Sequence, residues 1–220
     1  MTVHAALPGP KGSLSGTAII SLVVPAPEGC NHYCPGCFIA LRSENIPHGN
    51  FDADAKNGLL GSYEYYRFIH EVSQKERVAA ICVQGYEPLL PEAFAFTELI
   101  IEAGNDLNIP TSLVTNGMFL ALYAGRLARL KPRKIAVSLD ASTAEMHDRQ
   151  RRRAGAWHMA VGGLKAAVTC LPKSTELTVA SILIPKRRAQ LENMPETLKE
   201  IGVQRWIVTP FQKVGRFGLG

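Results

Sequence analysis

The alternation of short apolar runs with longer helical segments is the feature that most constrains the fold of this chain. Six runs are rich in aliphatic and β-branched residues, and each is followed by a segment with helical spacing or by a polar loop. Parallel strands need long crossovers of this kind, whereas antiparallel strands can be joined by a tight turn. The predicted strands are 17–24, 78–83, 111–115, 133–139, 177–184 and 205–209. The predicted helices are 59–76, 91–107, 118–130, 142–149 with 156–169, and 189–201.

A parallel sheet built from such units is expected to curl into an open barrel. Strand–helix–strand crossovers are right-handed, so successive units curve the sheet in one direction. Six units fall short of the eight that close a (β/α)8 barrel. The predicted fold class is therefore α/β, a partial (β/α)6 barrel of parallel strands.

Length and composition predict one domain. A chain of 220 residues with 46% hydrophobic content can bury one sizeable core, and no composition break divides it. We expect a flexible N-terminal tail at 1–16 and a single domain at 17–220. No apolar run reaches eighteen residues and the N-terminus lacks a signal-peptide pattern, so the sequence predicts a soluble, cytoplasmic protein that does not contact a membrane. Cys82 and Cys170 are predicted to be small buried hydrophobic residues.

Three cysteines form a C-x3-C-x2-C cluster directly after the first predicted strand. Cys30, Cys34 and Cys37 lie within eight positions, which favours metal binding in a reducing compartment over a disulfide framework. Three thiolates on one loop can hold three irons of a four-iron cluster and leave the fourth iron open for chemistry. With His32, the same cysteines could instead form a Cys3His zinc site, so a zinc-binding or electron-carrying module is the alternative.

Polar motifs also follow the next predicted strands. Because parallel strands place ligands beyond their carboxyl ends, we expect these motifs to meet at one edge of the sheet. Gly85 allows close backbone approach after the second strand, and Glu87 can accept a hydrogen bond from an ammonium group. A strand-ending turn is the alternative explanation of both residues.

The third and fourth strands end in similar polar segments. Asn116 lies in a Thr-Asn-Gly turn, where a helix cap is the simpler role. Ser138 and Asp140 share one face of the fourth strand because side chains alternate along a strand. For Asp140, capping the helix that begins near Ser142 is an equal alternative.

The basic charge favours no nucleic-acid function. The net charge is +5 and the pI is near 9.0, but Lys and Arg are spread along the chain, so we expect no nucleic-acid binding. The densest basic run, 149–153, predicts a solvated face, an anionic ligand or an acidic redox partner.

The cysteine spacing resembles the signature of the radical S-adenosylmethionine (SAM) superfamily. This resemblance implies a [4Fe-4S] cluster on Cys30, Cys34 and Cys37, with SAM chelated at the open iron. It also implies an enzyme in which an electron from the cluster cleaves SAM to methionine and a 5'-deoxyadenosyl radical, which abstracts hydrogen from a substrate.

The resemblance extends to the motifs after the later strands. The segment 84–88 is similar to the family's Gly-Gly-Glu-Pro motif, with Tyr86 at the second glycine, and implies contacts to the SAM amino group. The segment 147–157 is similar to a His-Asp-x-x-Arg-Gly motif, whose arginine suits the SAM carboxylate. Adenine contacts are implied near Ile182, Ile184, Thr209 and Pro210. The SAM-binding residues predicted in this way are Gly85, Glu87, Asn116, Ser138, Asp140, Arg151 and Ile184.

The segment 214–216 resembles peptide- and cofactor-modifying members of the family. Such members often carry a C-terminal extension with further clusters, which we expect to be missing here. The substrate, a peptide or a small molecule, is not predicted, and 39–58 could contact it or could be a simple connection. The resemblance further implies an electron donor such as flavodoxin or ferredoxin, whose acidic surface would suit the basic charge of this chain.

Overall fold

A single parallel sheet organises the structure, a computed structural model that describes residues 17–24, 30–35, 37 and 61–211. Its six strands pair in chain order, and every neighbouring pair is parallel. The prediction of an α/β fold with a partial barrel of parallel strands is confirmed. The strands are β1 (Ala18–Val23), β2 (Val78–Gln84), β3 (Thr111–Thr115), β4 (Lys134–Ser138), β5 (Glu176–Leu183) and β6 (Arg205–Pro210).

Helices connect the strands at nearly the predicted positions. The α-helices are α1 (Ser62–Lys75), α2 (Pro91–Asp106), α3 (Leu120–Leu130), α4 (Ala144–Arg151), α5 (Ala156–Cys170) and α6 (Met194–Ile201). The single helix predicted at 189–201 is wrong, because a 3-10 helix at Pro185–Leu191 precedes a separate α6. Pro195 explains the break: proline has no N–H to donate and its ring clashes with a preceding turn, so a helix tolerates it only near its start.

The hydrophobic core lies between the helices and one face of the sheet. Leu113, at the centre of β3, is fully buried in this core. On the helix side, the rings of Phe94 and Tyr123 stack with centroids 3.7 Å apart, and Tyr65 meets Phe96 edge to face. The helices are thereby held against one face, and the opposite face of the sheet is left to line a cavity.

Two glycines bring α5 close to the turn after β3. Gly117 has φ +81°, and a Cβ atom there would lie 2.7 Å from Cγ1 of Val137. A Cβ atom on Gly163 of α5 would lie 2.6 Å from the carbonyl oxygen of Gly117. No side chain fits in either place, so these glycines fix how closely α5 approaches the carboxyl end of β3.

Some predictions fall outside the described residues, namely the tail at 1–16, the segment 39–58 and the segment 214–216. Within the described ranges, no helix combines the length and the apolar character needed to cross a membrane. Cys82 is half-buried, and Cys170 is exposed at the end of α5, so its predicted burial is wrong.

Candidate active site

One cavity lies at the carboxyl ends of the strands, and it is lined by the three cysteines and by the seven residues of the predicted SAM-binding set. The parallel arrangement accounts for this meeting, because it directs every strand–helix loop to the same edge of the sheet. The predicted residues that line the cavity are Cys30, Cys34, Cys37, Gly85, Glu87, Asn116, Ser138, Asp140, Arg151 and Ile184.

The cysteine segment is anchored to the neighbouring strand ends by hydrogen bonds. The Asn116 side-chain amide donates to Oδ1 of Asn31 at 2.6 Å, and the Tyr33 N–H donates to the carbonyl of Arg151 at 3.2 Å. The His32 N–H lies 3.4 Å from Sγ of Cys30. The cysteines are therefore positioned by β3 and α4 as well as by their own loop.

His32, the fourth ligand of the alternative zinc site, lines the same cavity as the cysteines and contacts Met118. It is buried, its Nε2 lies 2.9 Å from Sδ of Met118, and its Nδ1 has no hydrogen-bond partner among the residues that the structure describes. Burial lowers the pKa of His32 to about 3, so the imidazole is neutral. Among the described residues, no three His, Cys, Asp or Glu side chains form a group arranged around a single metal ion.

The thiols of the cysteine segment lie in a poorly solvated environment. Burial raises the pKa of Cys30 to about 12. Burial also raises the pKa of Cys34, although the Arg151 guanidinium, 3.7 Å from its Sγ, opposes that shift. Thiols of this kind ionise when a metal centre supplies the compensating charge, so the donor set fits a metal-bound state.

Glu87 joins the ends of β2 and β3. Its Oε1 accepts from the Leu89 N–H at 3.0 Å and from the Thr115 hydroxyl at 2.5 Å, and its Oε2 accepts from the Asn116 N–H at 2.6 Å. Burial raises the pKa of Glu87 to about 7, although these hydrogen bonds favour the ionised form. A carboxylate accepts about four hydrogen bonds, so roughly one acceptor position on Oε2 remains for a ligand.

The preceding turn is conformationally unusual. Gly85 has φ +80° and Tyr86 has φ +36°, and both residues line the cavity. Tyr86 thus occupies a left-handed backbone position at which glycine would be unstrained.

Asp140 and Arg151 form a buried ion pair. Arg151 Nη2 lies 2.6 Å from Oδ2 of Asp140, and the two side chains are 12% and 2% exposed. Oδ1 of Asp140 accepts from the Ile182 N–H at 2.9 Å, which ties β4 to β5. Helix α4 has Thr143 as its N-cap, so the alternative role of Asp140 as a helix cap is wrong. Arg151 Nε is buried and, in the part of the chain that the structure describes, has no hydrogen-bond partner.

Hydrogen bonds made by the segment after Asp140 hold this ion pair in position. The Asp140 N–H donates to Nδ1 of His147 at 3.1 Å, and burial lowers the pKa of His147 to about 2. The carboxylate of Asp148 accepts from the Gly155 and Trp157 N–H groups at 2.6 and 2.9 Å. These contacts fix the path of the chain between α4 and α5, and with it the position of Arg151.

Of the remaining residues predicted to contact SAM, some line the cavity and some do not. Ser138 lines the cavity, and within the described part of the chain its hydroxyl has no hydrogen-bond partner. Ile182 and Ile184 also line the cavity. Thr209 and Pro210 are exposed, and Phe211, the next residue in the chain, reaches the cavity instead.

Sequence reasoning missed several residues that build the site. Asn31 and Thr115 each lie beside a predicted ligand, so their hydrogen-bonding side chains were a usable signal. Gln150 lines the cavity from α4, within the arginine-rich run. Arg187 lines it from the 3-10 helix, and its sequence position carried no signal, because the local break in that helix was not predicted.

Comparison with known proteins finds one matching family. The sequence model of the radical SAM superfamily matches residues 24–194. GTP 3',8-cyclase of Aliarcobacter butzleri (strain RM4018) is 25% identical over 165 residues, which are 71% of this chain and 48% of that protein. AdoMet-dependent heme synthase of Methanosarcina barkeri (strain Fusaro / DSM 804) is 30% identical over 139 residues, 62% of this chain and 36% of that protein. The chain spans less than half the length of either relative.

Solved structures resemble the fold over most of the chain. SuiB of Streptococcus suis bound to the precursor peptide SuiA superposes with a TM-score of 0.66 at 14% identity, over 90% of this chain and 40% of SuiB. SuiB bound to S-adenosylmethionine gives a TM-score of 0.65 at 15% identity, over 90% of this chain and 43% of SuiB. At such identities the likeness concerns the fold.

Proposed function

Because this chain belongs to the radical SAM superfamily, whose members are enzymes that use SAM and an iron-sulfur cluster, we propose that it is a radical SAM enzyme with a [4Fe-4S] cluster on Cys30, Cys34 and Cys37. When bound, the cluster supplies the electron that cleaves SAM reductively to methionine and a 5'-deoxyadenosyl radical, which abstracts hydrogen from the substrate. The observation that carries this proposal is the single cavity lined by the three cysteines and by the seven residues of the predicted SAM-binding set.

The protein groups around the cysteines fit a thiolate-bound cluster. Donors approach two of the three sulfurs: the His32 N–H near Cys30 and the Arg151 guanidinium near Cys34. Hydrogen bonds and positive charge beside thiolate sulfur stabilise the reduced, more negative state of an iron-sulfur centre. In this proposal the two groups orient the cluster ligands and adjust the reduction potential of the cluster.

Residues on four strand ends would orient SAM. Glu87 has one acceptor position left on Oε2, which suits an N–H of the SAM amino group beside the Gly85 backbone. The unpartnered Nε of Arg151 suits the SAM carboxylate, and Asp140 holds that guanidinium in place. The unpaired Ser138 hydroxyl suits a ribose hydroxyl.

Two further residues complete the proposed SAM site. Asn116 links Glu87 to the cysteine segment through its N–H and its side-chain amide, and thus couples the amino-group end of the site to the cluster. Ile184 offers an apolar surface to adenine at the end of β5. The role of all these residues is orientation, because a radical formed in the wrong place would react with the protein.

The substrate proposed for this reaction is a peptide or a small molecule. SuiB is bound to a precursor peptide, which supports a peptide, whereas the curated relatives are a GTP cyclase and a heme synthase, which support a small molecule. We further propose that flavodoxin or ferredoxin donates the electron in the cytoplasm. The net charge of +5 supports an acidic partner of this kind.

Production of 5'-deoxyadenosine tests the proposal. After anaerobic reconstitution with iron and sulfide, dithionite and SAM should yield 5'-deoxyadenosine and methionine. Replacing Cys30, Cys34 or Cys37 by Ala should abolish both products. Cys170→Ala is the matched control, because Cys170 is exposed at the end of α5 and does not line the cavity.

The same preparation separates the proposed enzyme from the zinc-binding alternative. The proposal expects a brown protein whose broad absorption bleaches with dithionite. A colourless protein with zinc at full occupancy after reconstitution would establish the metal-binding module without SAM chemistry. Product formation at the wild-type rate in any of the three Cys variants would show that the ligands are wrongly assigned.

A further inference from the structure

A second pocket opens beside the main cavity, on the side of the 3-10 helix and α4. Arg187 lines both, so the two spaces are neighbours. None of the predicted SAM-binding residues lines the second pocket. Its lining residues are Met146, Arg149, Arg187, Ala189 and Gln190.

The second pocket carries positive charge and no acidic lining residue. Among the described residues, Arg187 forms no ion pair. Arg149 lies 2.8 Å from Glu145, but these side chains are 69% and 79% exposed, so the pair is weak and can exchange. In the main cavity, Asp140 is paired and Glu87 accepts three protein hydrogen bonds. Arg187 is exposed, so within the described part of the chain its charge is solvated by water and is not paired with a carboxylate.

A hydrogen bond joins a lining residue of the second pocket to a lining residue of the main cavity. Gln190, which is 5% exposed, donates from Nε2 to Oε1 of Gln150 at 3.2 Å, and Gln150 lines the main cavity. The Gln190 carbonyl also accepts from the Ser142 N–H at 3.1 Å. A group in the second pocket would thus be held at a defined place relative to the main cavity.

We propose that the second pocket binds a carboxylate of the substrate and thereby selects acidic substrates. The inference rests on the proposed function, since it names the chemistry of the molecule that the main cavity would act on. The planar guanidinium of Arg187 matches a carboxylate through two parallel hydrogen bonds, and Arg149 adds charge. Met146 and Ala189 offer apolar contacts to the aliphatic part of a glutamate-like group.

Binding of an isosteric pair of probes to the cluster-loaded, SAM-bound protein tests the inference. The probes are N-acetyl-glutamate α-amide and N-acetyl-glutamine α-amide, which differ in charge but hardly in shape, and ligand-observed NMR titration gives their affinities. We expect the glutamate probe to bind about tenfold tighter than the glutamine probe. Arg187→Gln should remove that difference.

Arg188→Gln is the matched control, because Arg188 is exposed on the same 3-10 helix as Arg187 but lines neither space. It should preserve the preference for the glutamate probe. Equal loss in both variants would reduce the effect to general surface charge and overturn the inference. An unchanged preference in Arg187→Gln would also overturn it. If Arg187→Gln weakened SAM binding as much as it weakened binding of the glutamate probe, the inference would also be overturned, because Arg187 would then belong to the SAM site.

Two further measurements complete the test. The first separates failure of the carboxylate site from failure of the proposed function, and the second identifies the type of acid that binds. Formation of 5'-deoxyadenosine by the wild-type protein without any probe reports on the proposed function alone. If the wild-type protein cleaves SAM but does not prefer the glutamate probe, only the carboxylate site is contradicted. Tighter binding of the amidated glutamate than of glutarate would identify an acidic peptide side chain. The reverse order would identify a small-molecule acid, and both orders support the site.

Discussion

Glu87 is the residue at which burial and hydrogen bonding oppose each other most clearly. Burial favours the neutral acid, whereas three donors from β3 and its own turn favour the carboxylate, and the resulting pKa is about 7. A cationic ligand at the remaining acceptor position would favour the ionised form further. The proposed SAM site is therefore expected to be sensitive to pH.

SAM binding to the cluster-loaded protein should strengthen as the pH rises from about 5.5 to 7. The raised pKa means that Glu87 is mostly protonated at the lower pH, and its Oε2 becomes a full acceptor for the N–H of the SAM amino group only as the carboxyl ionises. Affinity should rise about tenfold, as measured by equilibrium binding. In Glu87→Gln the affinity should be lower and should depend less steeply on pH, whereas the exposed Glu92→Gln should behave as wild type. A flat profile in the wild-type protein would show that Glu87 does not bind the SAM amino group.

The ion pair of Asp140 with Arg151 should matter far more for stability than the exposed pair on the same helix. Arg151→Gln leaves a buried carboxylate without its partner and should lower the free energy of unfolding by about 3 kcal/mol. Arg149→Gln breaks the exposed pair with Glu145 and should cost less than about 0.5 kcal/mol. Urea unfolding of the cluster-free variants measures both. Equal losses in the free energy of unfolding of the two variants would show that burial of the Asp140–Arg151 pair does not add to its effect on stability.

At this scale the sequence predicted which residues meet but not how they pair. Asp140 and Arg151 were each predicted as SAM ligands from their motifs, and both line the cavity. Their contact with each other depends on where α4 returns the chain relative to β4, which no local pattern encodes. Tyr33, whose N–H bonds to the Arg151 carbonyl, illustrates the same limit, because that contact joins segments over a hundred positions apart.

Among the elements, α5 has the tightest constraint. Its buried Gly163 faces the Gly117 carbonyl and Leu120, while the adjacent Gly162 is exposed and would meet nothing within 4 Å. The close approach of α5 to the turn after β3 holds Asn116, and through it the cysteine segment, in place. Replacing one or the other of these neighbouring glycines by alanine is therefore expected to change the stability in opposite directions.

Gly163→Ala should destabilise the protein, and Gly162→Ala should stabilise it. The first introduces a methyl group into occupied space and should cost about 1 to 3 kcal/mol. The second removes a flexible residue from an exposed helix position and should gain up to about 1 kcal/mol. Thermal unfolding compares the two variants directly. Equal shifts in the same direction would mean that α5 does not approach the turn closely.

Element positions were largely predictable because apolar periodicity and helix crossovers are local signals. All six strands lie within one or two residues of their predicted bounds. The segment between β5 and α6 was not predicted, because helical spacing alone does not show that the chain first forms a 3-10 turn. Arg187 lies in that segment, so the second pocket could not be inferred before the structure.

For the whole molecule, the basic charge should affect reduction by a protein partner but not by a small reductant. With reduced flavodoxin, the rate of 5'-deoxyadenosine formation should fall several-fold between about 0.05 and 0.5 M NaCl, because salt screens attraction to an acidic partner. With dithionite at saturating concentration, the rate should change little over this range. A flavodoxin-driven rate that is independent of salt would contradict an electrostatically steered donor.

The proposed function requires that the cavity at the strand ends bring a three-cysteine cluster and SAM into contact. Electron–nuclear double resonance of the reduced, cluster-loaded protein, with SAM labelled at its amino nitrogen, tests this contact most directly. We expect hyperfine coupling between the cluster and the labelled nitrogen, and its resonances should be replaced by those of the natural isotope when unlabelled SAM is used. SAM that binds without any coupling to the cluster would contradict the account.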